Sequence, residues 1–329
     1  MSARIVLAAC LLGASLAGAL PAAAEPAAPP AVPAPATHGI VDPAAETLAL
    51  EQERYRRFTL PVLVEGTGPF AFMIDTGSQA TAVTEEIRDT ARLAPAGTAT
   101  LVGMASRREV ALASVERIDF GSNSYTDFTA PVLERANVGA DGIIGLDALQ
   151  DFRVLLDFRK QTISVEDASI KDSRGGFEII VRAKSRLGQL LITDALVDGV
   201  RATVIIDTGA QASLGNIALR EKIRARRAQD VLTTVVNGVD LKGELAVVRT
   251  LNIEGLSLTD VSLTFADTPA FEALGLHEKP ALSIGMQHLA LFDRVAIDFE
   301  RKRIAFDVPA DIARAIREAE RGTAYRARF

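Results

Sequence analysis

The chain has 329 residues, 48% hydrophobic and 24% charged, which excludes a disordered polymer and leaves room for two domains. A net charge of −6 gives no basic surplus for a phosphate backbone, so nucleic acid is excluded as a partner. Trp is absent and only 5% of residues are aromatic, so aliphatic side chains must fill the core.

Residues 1–24 read as a secretory signal, with Arg4 in the positive n-region, "IVLAACLLGASLAGAL" as the apolar stretch and "AAA" before Glu25 as the cleavage site. This predicts a periplasmic or secreted protein with no stable membrane span after cleavage, since the apolar stretch is short and rich in Ala and Gly. "LAAC" at 7–10 resembles a lipobox, but only Ile5 and Val6 precede it as apolar residues while the apolar run continues after it. Cys10 therefore reads as an incidental cysteine. It is the single cysteine, so its loss with the signal leaves no disulfide or thiol chemistry. Residues 25–57 follow as a Pro/Ala-rich tether, "EPAAPPAVPAPATH", and a short helix over 43–57, "PAAETLALEQERYRR".

Residues 58–166 and 177–308 then run through the same events in the same order, separated by a linker at 167–176. Alternating strands open each half ("FTLPVLVEG", "LLITDALVDG"). "FMIDTGSQAT" follows in the first and returns as "VIIDTGAQAS" in the second, placing Asp207 132 positions after Asp75. Next comes a short charged helical stretch, then matching apolar patterns ending in Thr-Asp at Asp127 and Asp260. Each half closes with an apolar segment and a Gly opening a short helix, "DGIIGLDALQDF" and "ALSIGMQHLALF", ahead of a strand pair. Residues 309–329 read as an amphipathic helix with a basic tail, suited to docking on the body of the protein.

Two buried strands that each end in a carboxylate on a Gly turn point to carboxylates that work as a pair. Held about 3 Å apart, they cannot both ionise cheaply, so they share a proton and titrate as a unit. The ionised member can draw a proton from water while the protonated one donates to a carbonyl oxygen, which hydrolyses an amide without metal or cofactor. Gly77 and Gly209 permit the sharp turns, and the Thr76 and Thr208 hydroxyls are placed to lock the loops together. Ser78 offers a hydroxyl to Asp75 where Ala210 offers none to Asp207, so the two acids are expected to be inequivalent, and the rate optimum mildly acidic to neutral.

Asp-Thr-Gly-Ser/Ala after an apolar strand, followed some 70 residues later by an apolar pair and Gly before a short helix, resembles the retropepsin-like aspartic peptidases. Two copies in one chain resemble the bilobal pepsin-like arrangement, with short lobes as in bacterial secreted or periplasmic members. The resemblance implies a mainly β fold of two β-barrel lobes related by a pseudo-twofold axis, with short helices and a C-terminal helix, monomeric as an internal pseudo-dimer. It implies an aspartic endopeptidase that binds an extended polypeptide between the lobes. Carried over by motif, Asp75 and Asp207 are the catalytic pair, Thr76 and Thr208 the interlocking threonines, and Gly77, Ser78, Gly209 and Ala210 their loop support. Ile143, Ile144 and Gly145, with Ser283, Ile284 and Gly285, pack behind the loops. Ser283 stands where an apolar residue is usual, which predicts weaker support for Asp207. The candidate flap lies at Gly103 and Met104, without the tyrosine of the pepsin branch, and its counterpart at Asn237 and Gly238; one bridging lid and two unequal lids both fit.

The remaining candidates carry less. His38, His277 and His288 lack zinc spacing and read as tether, loop and helix-face residues, so no metal is expected. Asp141, Asp147 and Asp157 read as turn, helix-face and strand-end acids, and "REKIRARR" at 220–227 as a solvated helix face rather than an anion site. The alternative to an enzyme is a catalytically silent fold of the same kind that binds a peptide or protein partner in its cleft.

Overall fold

The computed structural model describes residues 58–168 and 179–309, apart from 225, 235–239 and 255, and the backbone of three short strands at Ile5–Leu7, Glu46–Ala49 and Glu51–Gln52. The signal cleavage site, most of the tether and of the linker, Asn237, Gly238 and the C-terminal segment from 310 lie outside the described residues.

Alternation of apolar and polar residues in Phe58–Val64 buries one face of that strand. The two-residue turn after it places Glu65 and Gly66 at φ 50° and 72°; Asp198 and Gly199, at 46° and 83°, make the same turn in the second half. The returning strands, Thr67–Ile74 and Val200–Ile206, end in three buried residues each, and the Asp-Thr-Gly loops follow directly. Phe72 and Ile74, like Val204 and Ile206, face the main core. Met73 and Ile205, between them, face separate apolar clusters on the other side. A strand covered on both faces is stiff, which suits it to hold a side chain at its end.

The expected two-lobed, mainly β architecture is present, as two sheet-rich lobes. In the first, strands Thr67–Ile74, Gly142–Ile144, Ala82–Thr84, Asn123–Leu133, Arg107–Phe120 and Phe58–Val64 pair in that order, and the last pairs back to Arg107–Phe120 as well as to the first. The second repeats this ring with Val200–Ile206, Ala281–Ile284, Leu214–Gly215, Leu256–Phe265, Asp240–Ile253 and Gln189–Val197. The repeated Thr-Asp pair has a structural cause. Asp127 and Asp260 take φ 55° and 52° at points where the long hairpins miss a rung, and Asp is among the residues that tolerate this conformation. Turn carboxylates serve the neighbouring amides: Glu65 Oε1 accepts from Glu116 N and Arg117 N, and Asp198 Oδ1 from Thr250 N.

A six-stranded sheet joins the lobes. Its central strands, Phe152–Asp157 and Arg294–Asp298, come from the two halves and pair antiparallel, Leu155 opposite Ala296. The hairpin turns beside them are built alike, Asp157 Oδ1 accepting from Lys160 N and Asp298 Oδ1 from Arg301 N. The helix expected over 43–57 is corrected here: Glu46–Ala49 is a strand on the free edge of Thr162–Asp167, and Glu51–Gln52 pairs with Phe58–Val64. Available edges with unpaired backbone groups outweigh the helical propensity of that segment. Among the described residues no helix is long and apolar enough to cross a membrane.

Candidate active site

Parallel pairing brings the segments behind the loops into place. Gly142–Ile144 lies along Thr67–Ile74, with Ile143 opposite Met73, and Asp75 N donates to Ile144 O at 3.0 Å. Ala281–Ile284 lies along Val200–Ile206, with Ser283 opposite Ile205, and Asp207 N donates to Ile284 O at 3.0 Å. Each backbone thus carries its carboxylate out of a sheet ladder and onto a turn, at corresponding points of the two lobes.

The turns clamp the carboxylates. Asp75 Oδ1 accepts from Gly77 N at 2.8 Å and Ser78 N at 3.0 Å; Asp207 Oδ1 accepts from Gly209 N at 3.1 Å and Ala210 N at 3.0 Å. The threonines interlock: Thr76 N donates to Thr208 Oγ1 and Thr208 N to Thr76 Oγ1, both at 3.1 Å. Their hydroxyls donate onward across the axis, Thr76 to Ile206 O and Thr208 to Ile74 O, both at 2.7 Å. Four buried cross-lobe bonds, each contributing about 1 kcal/mol, hold the two loops in one register.

Both carboxyl groups are buried, Asp75 at 0% exposure and Asp207 at 1%. A β-carbon added to Gly209 would fall 2.2 Å from Asp75 Cγ, so the Asp75 carboxyl packs directly on the loop that carries Asp207. Burial and, after it, the charge of Asp207 push the Asp75 carboxyl well above the usual carboxylate range, against the opposing effect of the Gly77 and Ser78 amides.

The hydroxyl support differs from expectation. Ser78 Oγ donates to Ala80 O at 2.9 Å, inside its own loop, and the carboxylate that receives a hydroxyl is Asp207: Ser283 Oγ donates to its Oδ2 at 3.1 Å. Ser283 therefore binds Asp207 directly where weaker support was expected. Asp75 Oδ2 is buried with no hydrogen-bond partner among the described residues.

A second pair of hydroxyls, at the last position of each repeated motif, ties the glycine segments to the loops. Thr81 Oγ1 accepts from Gly145 N at 3.1 Å and donates to Asp147 Oδ1 at 2.7 Å. Ser213 Oγ accepts from Gly285 N at 3.0 Å and lies 2.7 Å from His288 Nδ1. Burial lowers the His288 pKa, so the ring is favoured neutral at its hydrogen bond with Ser213. Burial raises Asp147, opposed by the Thr81 hydroxyl and amide. His288 and Asp147 are thus anchors of this framework rather than helix-face residues. The matching hydroxyls at 81 and 213 were the sequence signal for it.

The first candidate flap is a tight turn, Gly103 N donating to Ser106 O at 2.9 Å. Met104 is buried in an apolar cluster of the second lobe with Leu191, Ile205, Leu214, Leu241 and Phe271. Arg107 Nη2 meets Glu272 Oε2 at 2.7 Å beside it, but both side chains are half exposed. An exposed pair contributes at most about 1 kcal/mol, whereas a buried Met contributes about 1.5–3 kcal/mol. Met104→Ala should therefore speed amide exchange in residues 103–107 about tenfold or more, and Arg107→Ala should change it by less than about fivefold; hydrogen exchange read by mass spectrometry checks the order. Among the described residues no group of three or more His, Cys, Asp or Glu is placed to hold a metal.

Two lobes that interlock paired Asp-Thr-Gly loops over buried carboxylates define an aspartic-peptidase type of site. The aspartyl protease family matches the chain twice, over residues 60–148 and 193–288, together more than half its length, and the chain belongs to that family. No curated protein matches the chain.

Proposed function

We propose that the protein is an aspartic endopeptidase that cleaves an extended polypeptide held between its lobes, and that residues 1–24 export it from the cytoplasm. The observation that carries the activity is the interlocked pair of loops, in which Asp75 and Asp207 are buried together and Asp75 holds its proton far more tightly than a free carboxyl. A scaffold without turnover gains nothing from that arrangement, because pressing two buried carboxylates together is destabilising.

In the reaction the ionised carboxylate takes a proton from water as its oxygen bonds to the scissile carbonyl carbon, and the protonated carboxyl gives its proton to the carbonyl oxygen. As the tetrahedral adduct collapses and the C–N bond breaks, the leaving nitrogen takes a proton from the newly protonated carboxyl and one adduct hydroxyl returns its proton to the other carboxylate. The products are a carboxylic acid and an amine, and the pair again holds one proton. Water supplies every added atom. The test is incubation of residues 25–329 with a diverse peptide library from about pH 4 to 8, with products identified by mass spectrometry. Cleavage by the wild type that an Asp207→Asn control lacks supports the reading. Binding of peptides without cleavage by folded protein would favour the cleft-binding alternative.

The raised Asp75 carboxyl also sets a stability slope. A group whose folded pKa lies above its unfolded value contributes stability that is complete below the unfolded range, near about pH 4, and is lost as pH rises through the folded value. Asp75→Asn keeps the shape without the charge. Its melting temperature should exceed that of the wild type by an amount that grows from about pH 4 toward pH 8, at roughly 2–4 °C per kcal/mol. Calorimetry across that range checks this; an advantage independent of pH contradicts it.

A further inference from the structure

Sequence symmetry leaves open which carboxyl carries the shared proton, and the structure breaks that symmetry at one position. Ser283 and Ile143 occupy corresponding places in the strands behind the two loops, and only the serine can donate. The other hydroxyls are committed elsewhere: Thr76 to Ile206 O, Thr208 to Ile74 O and Ser78 to Ala80 O. The donors to Asp207 thus include the amides of Gly209 and Ala210 on Oδ1 and the Ser283 hydroxyl on Oδ2. Asp75 receives two, both on Oδ1, and its buried Oδ2 has none.

We propose that Ser283 is a positioning residue that holds Asp207 as the carboxylate of the pair, so that the proton resides on Asp75 and the roles are fixed as Asp207 general base and Asp75 general acid. This rests on the endopeptidase reading. A buried carboxylate oxygen without a donor is costly as an anion and far less so as a hydroxyl, whereas an oxygen that accepts a hydrogen bond is favoured ionised. The direction in which Asp75 is pushed agrees. Other charges nearby are engaged; in the first lobe the partly buried, raised Asp147 accepts from the Thr81 hydroxyl and amide. Asp75 faces Asp207 from the opposite loop, the strand Ala281–Ile284 behind it carries no titratable side chain, and its own loop carries none from Thr208 to Ala212. On the short helix beyond, His288 is buried and engaged with Ser213. On the first-lobe hairpin that packs across, Arg107 is paired with Glu272, and at the far end of strand Val200–Ile206 Arg201 is paired with Asp194.

The test uses Ser283→Ala, which only removes an oxygen from a buried position, and Ser283→Thr, which restores the donor. With casein as substrate, the acid limb of kcat/KM for Ser283→Ala should move upward by about one to two pH units, the effect of losing one hydrogen bond to a charged group. The alkaline limb should stay within about half a unit, and Ser283→Thr should return the acid limb toward wild type. Carboxyl-carbon NMR titration of aspartate-labelled protein reads the same quantity without turnover: the lower apparent pKa of the pair should rise in Ser283→Ala and recover in Ser283→Thr. An unmoved acid limb, or an unmoved lower titration, overturns the proposal even if the protein is a peptidase. A wild type that leaves casein intact while the titration shifts as expected counts against the peptidase reading on that substrate and supports the role of Ser283.

Discussion

Asp75→Asn and Asp207→Asn are each expected to lower peptide cleavage by about 10²–10⁴-fold while the fold is retained. An asparagine at 75 can still accept from Gly77 N and Ser78 N, and one at 207 from Gly209 N and Ala210 N, so both loops keep their clamps. Neither substitution touches the Thr76 and Thr208 bonds between the lobes. On the proposed mechanism, what each removes is one member of a pair that holds one proton between two carboxyls. The double variant should therefore be about as slow as either single one, because residues that act as a unit do not lose activity additively. Cleavage rates on one fluorogenic peptide, with circular dichroism to show the fold, measure all three. A single variant within about tenfold of wild type would rule out a shared-proton mechanism.

The legible parts of this site were those set by local rules repeated twice. An apolar strand running into Asp-Thr-Gly, a Gly opening a short helix and a Thr-Asp at a backbone kink each demand particular residues within a few positions, and the second copy turned weak signals into a strong one. Ser283 was visible as a departure, but its meaning was not, since its partner lies 76 positions away and parallel pairing with Ile205 is what aims the hydroxyl. The same holds for Met104, whose place in the second lobe depends on how far the first hairpin reaches across. The strand at Glu46–Ala49 was missed because it exists only through the sheet edge it covers. Local chemistry was readable, and distant pairing was not.

Gly209→Ala should damage the centre of the protein severely. Its β-carbon would lie 2.2 Å from Asp75 Cγ and 2.4 Å from both carboxylate oxygens, far inside contact distance. Asp75 cannot turn away cheaply, since its Oδ1 is held by two amides of its own loop and the carboxyl is buried. The loops must separate instead, and the reciprocal Thr76 and Thr208 bonds are what separation breaks. Overpacking costs about 1–3 kcal/mol and each lost buried bond about 1 kcal/mol more, so a loss of about 3 kcal/mol or more in stability is expected. Displacing the carboxylates by about 1 Å should lower the rate at least about 10²-fold in whatever fraction stays folded. Gly199→Ala is the matched control: the added carbon meets nothing within 4 Å, and only its φ of +83° is unfavourable. It should cost about 1–2 kcal/mol and leave the rate unchanged. Urea denaturation and active-site titration separate the two effects, and a Gly209→Ala protein as stable and as fast as Gly199→Ala would mean that the loops are not packed against each other as tightly as the threonine bonds require.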